Sequence, residues 1–244
     1  MRFSMKCKHH LFYASASTVL LALSPLCSLS VLAQLPIEGT TSGVFVNPVP
    51  ISATTTGVGT NNFTFGASSP TVNRFTFAAV PFNTQTGNDF LLGTFTYVNG
   101  ATVAGTTIDF VDLQIGLNFT TPSVGLQTSS FSLNSISTLN VGTPNENADF
   151  VLLPSSFSPS VFTLSDTQYT LQLLGFRNVM GDGFLTSTNM QLHVREDSRA
   201  SAQLFGRVTS DLTGTPTTVP EPSSILSLIG TAISALLLRR KWAW

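Results

Sequence analysis

The chain has 244 residues and a formal net charge of −1, with 42% hydrophobic and only 9% charged residues. From Gln34 to Thr218 the balance is more lopsided, with five Arg, no Lys and eleven Asp or Glu, a net charge of −6 with its cations scattered along the sequence. Nucleic acid is excluded as a partner on this charge, because displacing phosphate counterions takes clustered Lys and Arg. The same stretch holds one His and no Cys, so a zinc or iron centre lacks its usual nitrogen and sulfur ligands.

The first 33 residues read as a secretory signal peptide. Arg2, Lys6 and Lys8 form a basic start, an apolar stretch runs from Leu11 to Leu32, and Val31 and Ala33 supply small residues for a cut between Ala33 and Gln34. An uncleaved N-terminal membrane helix is the competing reading. Pro25, Cys27 and several Ser interrupt the run and favour cleavage by signal peptidase. Cys7 and Cys27 leave with the signal, so the exported body must be held by its core alone. Its length, about 180 residues, suits one core.

Residues 34–60 are rich in Pro, Gly and Thr and read as a linker, with GVFVNPV as a candidate edge strand. Residues 61–212 read as one β domain. NNFTFG sets Phe63 and Phe65 on one face, NRFTFAAV sets Phe75 and Phe77, and FLLGTFTYVNG carries Phe95 and Tyr97. The Asn99-Gly100 pair that follows is the favoured dipeptide of a two-residue hairpin turn. From Val111 to Phe119 apolar residues take every second position, a half-buried strand with one wet face. Ile108 and Phe110 are out of phase with it, which calls for a bulge or strand break near Phe110. SSFSLNS, SVFTLSD, TQYTLQLLGF and NMQLHVRE continue the pattern, with MGDGF as a turn between the last two. In NMQLHVRE, Met190, Leu192 and Val194 share a face.

Short strands punctuated by Gly, Pro, Asn and Ser, with 17 of the 19 Phe in the body, predict an all-β fold, an antiparallel β-sandwich of jelly-roll type. A membrane barrel is the rival. It would show aromatic girdles at both rims, whereas the body has no Trp and only Tyr97 and Tyr169. Residues 213–218 form a short linker to a tail at 219–244. There Val219, Pro220, Glu221 and Pro222 precede an apolar run from Ser223 to Leu238, which Arg239, Arg240 and Lys241 stop. As a helix that run spans roughly 24 Å against a hydrocarbon core of about 30 Å, a marginal permanent anchor. The cations at both ends place the body outside the membrane.

The tail resembles the PEP-CTERM sorting signal of exported Gram-negative and cyanobacterial proteins, on Val219-Pro220-Glu221-Pro222, the apolar run and Arg239-Arg240-Lys241. That resemblance implies recognition by an exosortase-type membrane protease and cleavage near the Pro-Glu-Pro. It also implies release or attachment at the cell surface, in association with extracellular polysaccharide and biofilm matrix. The body, on Phe90 to Gly100 and the strand Asp109 to Phe119, looks like a choice-of-anchor K type domain, which carries no implied activity.

Residues suited to catalysis or ligand binding are correspondingly few. His193 is the only base available to a Ser-His-Asp arrangement, and there is no G-x-S-x-G elbow to receive it. Asp109 and Asp112 would serve a glycosidase only if a bulge turned both to one side of the strand. Glu146, Asn147, Asp149, Asp182, Glu196 and Asp197 are loop oxygens of the type a structural calcium takes, without EF-hand spacing. The body reads as a non-enzymatic surface or matrix protein, with no catalytic or cofactor residues assigned. A calcium-assisted glycan-binding module is the alternative, and a polysaccharide hydrolase ranks below both.

Overall fold

The computed structural model describes residues 34–211, apart from 68–69, 165 and 185–186. Ala33, the signal helix expected before it, and the tail from Val219 through Lys241 lie outside the described residues. The described chain is all-β with no helix. In chain order its strands are β1 (Pro36–Val49), β2 (Thr55–Thr56), β3 (Asn62–Phe65), β4 (Asn73–Ala79), β5 (Pro81–Gln85), β6 (Asp89–Asn99), β7 (Phe110–Thr121), β8 (Gly125–Ile136), β9 (Asp149–Leu152), β10 (Ser160–Leu164), β11 (Thr167–Phe184) and β12 (Gln191–Asp211).

All pairings are antiparallel, and they link into one strongly curled sheet of order β2-β3-β4-β6-β12-β9-β8-β7-β1-β5, with β11 on β12 and β10 on β11. The 21-residue β12 is the spine. Its first residues, Gln191 to Val194, pair with β9, and Ser198 to Arg207 pair with β6. Between them Asp197 takes a φ of 57°, a left-handed conformation that bends an otherwise extended chain. The sheet curls there, bringing the inner face of β1-β7-β8 over that of β4-β6-β12.

The alternation of strand residues decides what fills the space between. Phe45 of β1 meets Phe63, Phe75 and Phe95 at ring-centroid distances of 5.9, 6.0 and 6.4 Å, joining β1 to β3, β4 and β6. Phe131 and Phe176 join β8 to β11 at 6.0 Å. Tilted and edge-on arrangements of this kind are the favoured ones for aromatic pairs. The halves also meet at Phe77, whose ring is clamped between two glycines. A Cβ at Gly43 of β1 would come 2.3 Å from Phe77 Cδ1, and one at Gly93 of β6 would come 2.5 Å from its Cζ.

Several expectations are met. β3, β4, β6, β7, β8 and β10 fall on the predicted runs, and β7 begins at Phe110 with a register shift opposite it in β1, between Val46 and Val49. Others are corrected. The segment read as a linker or edge strand carries β1, which pairs with β5 on one side and β7 on the other. Its hydroxyls and glycines hid a strand whose odd positions face inward. Asn99-Gly100 closes no hairpin: β6 pairs with β4 and β12, and the chain crosses over to β7. Gly100 is needed for a different reason, since a Cβ there would sit 2.0 Å from the Thr71 carbonyl oxygen. MGDGF is no turn either, because β11 runs through it with register shifts beside Arg177/Met180 and Asp182/Phe184. Met190 lies ahead of β12 and is exposed, while Leu192 and Val194 are buried.

Candidate functional site

Two poles of the domain organise its polar residues. At one pole the loops 100–109 and 137–148 and the bend in β12 cover the end of the core. Asn73 and Asn99 share the inward phase of Phe75 and Tyr97 and so enter the core as polar residues, and Asp149 enters it at the start of β9. The Tyr97 hydroxyl donates to Asn99 Oδ1 at 2.8 Å and lies 3.4 Å from Asp149 Oδ2. Asn99 Nδ2 donates to the Val194 carbonyl at 2.8 Å. Asn73 accepts from the Gly100 N–H at 2.9 Å and donates to Thr102 Oγ1. Asp149 Oδ1 accepts from the Thr138 N–H at 2.6 Å and from its hydroxyl at 3.1 Å.

The covering loop is tied down by its own side chains. Asn147 accepts from the Gly142 N–H at 2.8 Å and donates to Glu196 Oε2 at 2.9 Å. Glu146 Oε2 accepts from the Thr143 N–H and hydroxyl at 2.8 and 3.0 Å, which hold its carboxyl below the usual carboxylate range. Burial acts the other way on Asp149. It outweighs the Thr138 hydrogen bonds, Glu196 adds like charge, and the carboxyl is pushed up to about 6. Burial likewise raises the Tyr97 hydroxyl well above its ordinary value. At 3% exposure Asp149 meets the loop rather than solvent. The arrangement is a protonatable latch between the loop and β6.

The other candidate residues scatter. Asp182 has no described side chain, and Asp197 is exposed at the bend. Among the described residues no group of three or more His, Cys, Asp or Glu is placed to hold a metal. Asp112 accepts from Ser132 at 2.6 Å and from Asn47 at 3.1 Å on the outer face of β7, while Asp109 is exposed ahead of that strand. His193 lies flat on Phe150, with ring centroids 3.8 Å apart and planes 12° apart. Burial lowers its pKa, so the imidazole is neutral at pH 7. Sequence reasoning did not find the Tyr97–Asn99–Asn73 cluster. Its signal was present, since both asparagines fall in phase with the buried Phe positions of their strands.

At the opposite pole the described chain starts and ends together. The Leu35 N–H donates to Thr86 Oγ1 at 3.1 Å, the Thr86 N–H to the Leu35 carbonyl at 3.0 Å, and the Gly87 N–H to the Val208 carbonyl at 2.8 Å. Gln34, the residue after the expected cut, is exposed there. No helix among the described residues is long and apolar enough to cross a membrane.

No curated protein matches the chain. A family model described as the PEP-CTERM protein-sorting motif matches residues 218–241, a span that holds Val219, Pro220, Glu221, Pro222, Arg239, Arg240 and Lys241. That motif marks an exported protein, anchored transiently in the membrane by its C-terminal region and processed there by exosortase, itself a membrane protein.

Proposed function

We propose that this is a non-enzymatic protein of the cell surface or extracellular matrix, held in association with exopolysaccharide. The curled sheet is read as a jelly-roll-like sandwich of the choice-of-anchor K kind. The observation that carries the reading is the sorting motif at 218–241, which begins seven residues past Asp211, the end of β12. Seven extended residues reach at most about 25 Å. While the tail holds the chain, Asp211 stays within that reach of the motif. The test is fractionation of cells carrying Pro220→Ala/Glu221→Ala/Pro222→Ala. The variant should stay in the membrane fraction as an uncut precursor while the parent chain reaches the surface and matrix. A variant that reaches the matrix normally defeats the reading.

One observation favours the alternative, a calcium-assisted glycan-binding module. Glu196 Oε1 is buried with no hydrogen-bond partner among the described residues, and it belongs to the carboxylate that raises the Asp149 pKa by like charge. A cation there would neutralise both. Calcium should then raise the melting temperature, and a melting curve unchanged by calcium or chelator removes this alternative.

A further inference from the structure

The arginines that look scattered in the sequence are gathered by the fold. Inward positions of β12 are Ala200, Ala202, Leu204 and Val208, all buried, so Arg199, Ser201, Gln203, Phe205 and Arg207 point outward. Arg74 of β4 lies across Val98 of β6 from Arg199, and Arg177 of β11 pairs with Gln203. Four of the five arginines of residues 34–211 thus share the outer face of β4-β6-β12-β11. Against them stand Asp89 and, by register opposite Arg199, Asp182. Asp197 and Asp211 mark the two rims along β12, and the other acids lie elsewhere on a body of net charge −6.

The two arginines nearest the chain ends are fixed in place. Asp89 Oδ2 accepts from Arg177 at 2.8 Å, and Asp89 Oδ1 accepts from Arg207 Nε at 2.8 Å and from its terminal nitrogen at 2.5 Å. The Arg177 guanidinium also sits 5.2 Å over the Phe205 ring. Each guanidinium has five N–H donors, and only part of each set is used by Asp89. Their side chains are 42% and 40% exposed. Arg199 stands eight residues from Arg207, about 26 Å along the strand. Between them lie Thr94, Thr96, Ser201 and Gln203, and an open depression of about 380 Å³ lined by Thr96, Met180, Gly181, Arg199 and Ser201. Gly181 keeps that floor low, since a Cβ there would come 2.4 Å from the Arg199 carbonyl oxygen.

We infer that this face binds a linear polysaccharide bearing carboxylates, with the two arginine pairs taking acidic groups and the hydroxyl and amide side chains between them taking sugar hydroxyls. Planar guanidiniums held in position suit carboxylates in bidentate fashion. An elongated row of charge suits a polymer better than a single small anion. An anionic bilayer fits less well, because a flat surface would also meet the rim positions Asp197 and Asp211, which it repels within a Debye length, whereas a single chain can lie between them. Duplex DNA asks for denser cationic charge than this face supplies.

The inference rests on the proposed matrix association, and the experiment separates the two. The exported protein, purified from its secreting cells, is tested for retention on polygalacturonate, dextran, phosphatidylglycerol vesicles and duplex DNA, beside co-fractionation with the host's own matrix. Polygalacturonate alone should retain it, about tenfold more weakly at 200 mM than at 50 mM salt. R74Q/R199Q and R177Q/R207Q should each weaken retention at least fivefold with melting curves unchanged. Salt dependence of the parent chain carries the test if a variant fails to fold. Absent or salt-insensitive retention overturns the inference, as does retention unchanged in both folded variants, or equal binding to vesicles or DNA. Co-fractionation with the matrix that ignores the arginines leaves the association standing and removes this face. Polygalacturonate binding without matrix co-fractionation keeps the face and removes the association.

Discussion

At Asp149, burial and hydrogen bonding pull in opposite directions, and burial wins. The folded chain holds the proton up to about pH 6, whereas the ordinary value is 3.8. Stability from this group is therefore complete below the ordinary value and is lost as pH rises through about 6. A shift of that size corresponds to about 3 kcal/mol at most. Asp149→Asn keeps an acceptor for the Thr138 N–H and removes the charge. It should match the parent near pH 4 and exceed it by about 1–3 kcal/mol at pH 7 in chemical denaturation. A variant less stable than the parent at pH 7 contradicts this reading of the latch. Tyr97→Phe leaves Asn99 Oδ1 without its buried donor and should cost about 1–3 kcal/mol, read in the same titrations. A loss near zero would mean that the hydroxyl does not hold Asn99.

Among the elements, the contact between the two halves of the sheet is set by Phe77 between Gly43 and Gly93. Gly43→Ala forces a methyl into that ring and should destabilise the domain by about 1–3 kcal/mol. Phe77→Leu alone should also destabilise, yet the double variant should lose less than the sum, because the smaller side chain relieves the clash. Strict additivity would mean that the two sites do not meet. Strands were legible where alternation was strong, as in Val111 to Phe119 of β7. Of β1 only the second half, GVFVNPV, was legible as a candidate strand, because Gly39 and Gly43 occupy inward positions where alternation calls for apolar side chains. β9 was too short for periodicity to register, with only Asp149 and Val151 facing in. Asn99-Gly100 misled because a glycine demanded by close approach to Thr71 looks the same in sequence as one demanded by a turn.

For the whole molecule, address and cargo are read by different means. The tail announces itself in sequence, because Val219-Pro220-Glu221-Pro222, an apolar run and three cations form a local, linear signal. The arginine face does not, because Arg74, Arg177, Arg199 and Arg207 converge only when β12 is laid between β6 and β11. The described chain starts and ends at the pole with Leu35 and Val208, opposite the loop pole. The most direct measurement is mass spectrometry of the C-terminus of the protein recovered from the cell surface and matrix. The tail should be cut near Pro220-Glu221-Pro222, with Arg239, Arg240 and Lys241 absent from the exported product. An extracellular product that still ends in Trp244 would contradict the sorting role.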